Sequence, residues 1–201
     1  MRALFKRLNE ASESPRQRWA HVITLTVGII VFILGLNIRN RALTATSVYE
    51  NLQAGIVAYY PYGWLLDTQG GEDYVFRVRD MTRPGFKTTI QISVQPVSSD
   101  TTSRSIADRL AFKRARTYTD YNVLTVATYP LATDPSAQSV AYSYSTRETS
   151  AFLEGVPDVV IGQDILTITR GQALIITFRA EASVYDSEYR RFRQFLRQLS
   201  F

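Results

Sequence analysis

The chain has no cysteine and a single histidine, His21, among its 201 residues. Without thiols there is no disulfide, no thiolate metal centre, no cysteine nucleophile and no lipobox cysteine. With the sole imidazole at position 21, residues 42–201 cannot assemble a Ser-His-Asp or Cys-His arrangement. Zinc and transition metals lose their preferred ligands there. The downstream part also lacks an excess of basic charge. The net charge is +5, but residues 1–41 hold seven basic and two acidic groups, whereas residues 42–201 hold sixteen of each. The basic pI therefore reports the N-terminal segment, which removes the hint of nucleic-acid binding by the rest, and no nucleic-acid partner is expected. Finally, Trp19–Ile38, WAHVITLTVGIIVFILGLNI, contains no Asp, Glu, Lys or Arg.

That last absence is the most informative. A helix of about 20 residues, rising about 1.5 Å per residue, spans roughly 30 Å, the hydrocarbon thickness of a bilayer. The expected organisation is a cytoplasmic stub over 1–14, a transmembrane helix with its flanks over 15–41, a linker over 42–54 and an extracytoplasmic domain over 55–201. Ser14 and Pro15 suit the N-cap and first helical position. Arg2, Lys6, Arg7, Arg16 and Arg18 outnumber Glu10 and Glu13 ahead of the span. Short Lys/Arg-rich flanks stay cytoplasmic, so the domain is expected in the periplasm, a lumen or the extracellular space. Arg39 and Arg41 weaken that bias without reversing it. A cleaved signal peptide is the rival reading; the length of the apolar run and the poor cleavage site at Leu43-Thr44-Ala45 argue against it.

Within the span, Ala20, Thr24 and Gly28 stand four apart and Gly35 follows seven after Gly28. Small residues at that spacing let another helix approach closely, although glycine is common in such helices. His21 is read as a polar residue tolerated near the headgroups; its functional alternative is a ligand to a pigment or haem metal held by a partner.

Beyond the span the periodicity changes from 3.6 to 2. Lys87–Val97 alternates, with Ile90, Ile92 and Val94 on one side and Thr89, Gln91 and Ser93 on the other. Tyr74–Met81 sets Val75, Arg77 and Arg79 against Phe76 and Val78. Ser103–Tyr118 reads as a helix with Ile106, Ala107, Leu110 and Ala111 inward and Arg109, Lys113, Arg114 and Arg116 outward. Tyr121–Ala132 and Ser139–Thr146 return to strand. Two further strands meet at an Arg170-Gly171 hairpin turn. The chain closes on a helix, Asp186–Leu199, with Asp186 as N-cap and Tyr189, Phe192, Phe195 or Leu196, and Leu199 inward. Consecutive hairpin-linked strands with few helices predict an α+β fold, an antiparallel sheet with helices packed on it.

Three features in order carry a resemblance. Tyr60-Pro61-Tyr62-Gly63-Trp64 looks like a P-x-G-W opening to a sheet. The strand ending at Pro96 is followed at once by the Ser103–Tyr118 helix. Leu174–Ala180 leads into an aromatic helix that ends Leu199-Ser200-Phe201. Over about residues 55–201 the chain resembles the PsbP-like superfamily, which includes extrinsic photosystem subunits and Mog1-like domains. The resemblance implies an α/β/α sandwich around an antiparallel sheet and no enzymatic activity. It also implies an accessory, assembly or stabilising role for a large membrane complex. A retained anchor and a domain without histidine depart from the plant extrinsic subunits, so imidazole metal binding is not carried over.

Little else carries chemistry. Glu72-Asp73, flanked by Asp67 and Asp80, reads as a solvated loop, with weak calcium binding as the sharper alternative. Gly70-Gly71 opens no helix and is no phosphate cradle. Arg190, Arg191, Arg193 and Arg197 crowd the last helix, either as a solvated face or as a docking surface for an acidic partner or anionic headgroups. The expected function is a non-enzymatic, single-pass accessory subunit, stabilising or assembling a larger membrane protein complex, for which photosynthetic and respiratory complexes are the candidates. Its expected partners are lipid and other transmembrane subunits, with no cofactor and no metal. The alternative is a free-standing tethered ligand-binding or sensor module, which the short stub leaves without an effector domain.

Overall fold

The alternation read in the later part of the chain becomes an antiparallel sheet covered by one helix on each face. The structure is a computed structural model and describes residues 15–43, 45–131, 134–147, 149–150, 153–154 and 157–201. The stub at 1–14 lies outside them. The chain divides into two compact units, with the boundary between Ala45 and Thr46.

The first unit contains helix α1, Pro15–Leu43, of 29 residues. Its side chains from His21 to Asn37 are all exposed. Thr26 Oγ1 donates back to the Val22 carbonyl at 2.8 Å, satisfying its hydroxyl within the helix. Among the described residues no helix is long and apolar enough to cross a membrane.

The second unit begins with a hairpin of β1 (Thr46–Asn51) and β2 (Ile56–Pro61). Thr46–Asn51 falls inside the segment expected to be linker, so the folded unit starts earlier than residue 55. Tyr49 ties β1 down: its ring lies 5.2 Å from that of Phe76 and its hydroxyl donates to the Val75 carbonyl at 2.8 Å. Next come β3 (Leu65–Asp67), β4 (Phe76–Arg79), β5 (Thr89–Pro96) and helix α2 (Ser103–Ala115). Strands β6 (Thr119–Thr128), β7 (Gln138–Thr146), a short pair β8 (Thr149–Ser150) and β9 (Leu153–Glu154), β10 (Asp158–Thr169) and β11 (Gln172–Glu181) follow, and helix α3 (Tyr185–Gln198) closes the unit. Seven strands form one sheet in the order β3-β4-β5-β11-β10-β7-β6, every neighbouring pair antiparallel.

The β10–β11 turn at Arg170-Gly171 has φ of 52° and 73°, the paired left-handed geometry of a two-residue hairpin. Helix α2 starts on a capping box: the Thr102 hydroxyl accepts from the Ser105 amide at 3.1 Å, and Ser105 Oγ accepts from the Thr102 amide at 3.1 Å. Helix α3 begins one residue before Asp186. Its N-cap is Val184, without a side-chain cap, and Asp186 lies in the first turn, where its charge meets the positive end of the helix.

Alternation assigns the two faces. Ile90 and Ile92 on β5, Phe76 and Val78 on β4, and Leu174, Ile176, Phe178 and Ala180 on β11 point into the main core. Phe192 and Phe195 of α3 and Ile56, Ala58 and Tyr60 of β2 close that core from above. Phe178 and Phe192 stack at 4.8 Å. Ser200 fastens the chain end by exchanging two backbone hydrogen bonds with Val57. On the opposite face Ile106 and Ala107 of α2 cover Val140, Leu166, Ala173 and Ile175. Tyr142, Tyr144 and Val160 form a third cluster beside it. The arrangement is the helix–sheet–helix layering expected from the sequence.

Candidate functional site

The face under α2 is only half covered, and its exposed half is polar because the same alternation that buries Phe76, Ile92 and Phe178 turns their neighbours outward. Antiparallel register lines those neighbours up across five strands. One row runs Arg77, Gln91, Thr177, Asp164, Val140. The next runs Arg79, Thr89, Arg179, Gly162, Tyr142.

Asp164, 1% exposed, holds the closed end of this surface. Arg114 grips it with both guanidinium arms, the Nη2 to Oδ1 bond being 3.0 Å, and Thr177 Oγ1 donates to Oδ1 at 2.7 Å. The Arg114 guanidinium carbon sits 4.3 Å from the centre of the Tyr142 ring. Burial opposes the charge on Arg114, but Asp164 beside it more than offsets that and raises the guanidinium pKa above its ordinary value. The sequence places Arg114 with the outward residues of α2. The structure corrects this: Arg114 follows Leu110 by four and Ala107 by seven, so it lies on the inward stripe, where the buried carboxylate recruits it.

At the other end Asp67 accepts from Tyr74 Oη at 2.7 Å and Arg77 Nη2 at 2.5 Å, with Arg79 Nη2 at 3.8 Å. Hydrogen bonds from Arg77 and Tyr74 hold the Asp67 carboxyl well below the usual carboxylate range. Asp80 is buried and accepts from the Thr82 amide and hydroxyl. These two carboxylates are committed to local partners, and among the described residues no three acidic or imidazole groups converge as a metal site.

Between the two ends lies Arg179, half-buried. It donates to Tyr118 Oη at 3.1 Å and, at a long 3.4 Å, to Gln91 Oε1. Among the described residues no carboxylate pairs with it. The Nε of Arg77, Arg79 and Arg179 are all buried without a hydrogen-bond partner among the described residues. Arg77 and Arg179 line two adjoining hollows. One, of about 310 Å³, is bordered also by Arg79, Lys87, Thr89 and Arg147. The other, of about 260 Å³, reaches Ser93, Lys113 and Arg114. A set of guanidiniums exceeding its carboxylates can hold an anion.

The residues singled out in the sequence lie elsewhere. On α1, Thr24 and Gly28 share one face with His21, Leu25, Ile29 and Phe32 around a shallow groove. Among the described residues, nothing outside the local helix backbone lies within 4 Å of where a Cβ on Gly28 or Gly35 would stand. The side chain of Ala20 is not among those described. On α3, Arg190, Arg191, Arg193 and Arg197 are all exposed. Arg191 pairs with buried Glu188 at 3.2 Å, and Arg193 lies 5.6 Å from the Tyr189 ring centre. Arg193 and Arg197 also border a hollow with Tyr129, Leu196 and Phe201. Sequence reading missed Arg179 and Asp164. The available signals were charges set inside apolar strands, Asp164 within DVVIGQDILTIT and Arg179 within QALIITFRAE.

The second unit has the fold of the PsbP/Mog1 class. It is similar to cyanobacterial PsbP (CyanoP) from Synechocystis, with TM-score 0.52 and 14% identity, covering 78% of this chain and 92% of that one. It is similar also to the Ran-binding protein Mog1p of Saccharomyces cerevisiae, with TM-score 0.51 and 10% identity, covering 78% and 95%. LpqN of Mycobacterium tuberculosis, involved in cell envelope biogenesis, matches at TM-score 0.49 and 14% identity, covering 78% and 90%. At these identities the first two likenesses show the fold alone. No protein-family profile matches the sequence, and no curated protein matches it.

Proposed function

We propose that the chain is a non-enzymatic accessory subunit of a larger membrane complex, anchored by α1 with its N-terminus cytoplasmic and its PsbP/Mog1-like domain outside. The observation that carries the reading is an uncharged apolar run, Trp19–Ile38, in a 29-residue helix whose side chains over 21–37 are exposed. Exposing so many Val, Ile, Leu and Phe side chains is unfavourable in water and favourable in lipid. The fold class supports an accessory or binding role. The absence of histidine and cysteine from residues 42–201 supports a non-catalytic one. In this reading Ala20, Thr24, Gly28 and Gly35 form the face that meets a neighbouring helix, and the arginines of α3 meet an acidic surface or headgroups.

The test is fractionation followed by native electrophoresis. The chain should resist alkaline extraction from membranes, dissolve in mild detergent, and migrate with a complex much larger than itself. Replacing both Gly28 and Gly35 by Leu should release it from that complex while leaving it in the membrane. Recovery in the soluble fraction removes the anchor, and migration as a lone monomer removes the subunit role.

A further inference from the structure

The half-covered sheet face holds more positive charge than its own carboxylates neutralise, although residues 42–201 as a whole are electrically balanced. Around the 310 Å³ hollow stand Arg77, Arg79, Lys87, Arg147 and Arg179, with Asp158 the one carboxylate in its lining. Asp67 lies behind Arg77 and Arg79, and a Glu181 oxygen lies 3.8 Å from the Cβ position of Gly85 at the rim. Counting all three acids against the five cations leaves an excess of two. The strongest demand comes from Arg179. Taking a guanidinium out of water without a counter-charge is costly, and the oxygens that face it, those of Tyr118, Gln91 and Tyr144, are neutral, with Nε unpaired among the described residues. Unpaired buried donors recurring in three adjacent arginines point to a missing acceptor.

We infer that this hollow is a phosphate-binding site, with Arg179 at its floor, Arg77 and Arg79 on one wall, and Lys87 and Arg147 at the rim. A dianionic phosphate meets the excess of two charges, whereas a single carboxylate meets half of it. Planar guanidiniums present paired N–H donors that fit phosphate oxygens. The volume admits a phosphate together with a small organic substituent, for which Phe86 and Thr146 supply further lining. The phosphate can come from solution or from a lipid headgroup; the recognising chemistry is the same.

The experiment uses the full chain in detergent, with the unfolding temperature followed as inorganic phosphate replaces chloride at constant ionic strength. The wild type should show a saturable rise. Arg179→Gln and Arg147→Gln should each weaken the apparent affinity by about tenfold or more, the cost of one charge-assisted contact, while Arg109→Gln on the exposed side of α2 should match the wild type. A second arm compares micelles doped with phosphatidic acid and with phosphatidylcholine. A rise with phosphatidic acid that free phosphate does not add to identifies a headgroup; a rise with free phosphate alone identifies a soluble ligand. If neither phosphate nor phosphatidic acid shifts the transition more than chloride or phosphatidylcholine does, the site does not exist. Arg147 is exposed and its substitution should not impair folding. Wild-type affinity in Arg147→Gln therefore overturns the assignment even if Arg179→Gln fails to fold. The outcome is independent of whether the chain joins a complex.

Discussion

Tyr142 lies directly across Gly162 on the neighbouring strand, so close that a Cβ on Gly162 would stand 2.2 Å from the tyrosine Cζ. The missing side chain lets the ring lie flat against the sheet beside Arg114 and Arg179. Gly162→Ala should therefore destabilise the domain by about 1–3 kcal/mol through overpacking. In a Tyr142→Ala background the same substitution should cost clearly less. Denaturant unfolding of the double-mutant cycle checks this, and additivity of the two losses would contradict the contact.

The Tyr142 hydroxyl is buried and has no hydrogen-bond partner among the described residues. Tyr142→Phe should therefore be neutral, or stabilising by up to about 1 kcal/mol, at neutral pH. Burial pushes the Tyr142 pKa well above its ordinary value. A group whose proton is held more tightly when folded supports folding below its unfolded pKa and loses that contribution as pH rises. The wild type should thus lose stability relative to Tyr142→Phe above about pH 10. Equilibrium unfolding at several alkaline pH values reads the divergence.

Arg114 and Asp164 should behave as a unit. Removing either side chain alone leaves the other charge stranded against the sheet, and Arg114→Ala or Asp164→Ala should each cost about 3–5 kcal/mol. Arg114→Met combined with Asp164→Leu should cost much less than the sum of the single substitutions. Thermal unfolding of the three variants tests this; a mild Asp164→Ala would show that the pair is dispensable.

Asp67 should give an acid signature. Its folded pKa is depressed below the unfolded value, so its contribution is present above about pH 4 and fades as pH falls toward the folded pKa. The stability advantage of the wild type over Asp67→Asn should be constant from neutral pH down to about pH 5 and shrink below about pH 4. The carboxyl resonance of Asp67, followed by NMR, should titrate below the ordinary carboxylate range.

Most of the layering was legible along the chain. Ile90, Ile92 and Val94 alternate with Thr89, Gln91 and Ser93, and that period fixes both the strand and its two faces. Phe192 and Phe195 mark the buried stripe of the last helix, and Arg170-Gly171 marks its hairpin. Two features were hidden. Thr46–Asn51 becomes strand only because β2 pairs with it and Tyr49 reaches the main core. Arg114 turns inward because Asp164, fifty residues later, waits buried beneath it.

The sequence alone determined an uncharged apolar helix ahead of a domain without cysteine or histidine, and an α+β pattern, since these depend on residue types and local spacing. Only the tertiary structure decided where charge concentrates. Arg77, Arg79, Lys87, Arg147 and Arg179 are scattered over a hundred residues of an electrically balanced domain. Strand register and turn placement, which no local period encodes, bring them around one hollow.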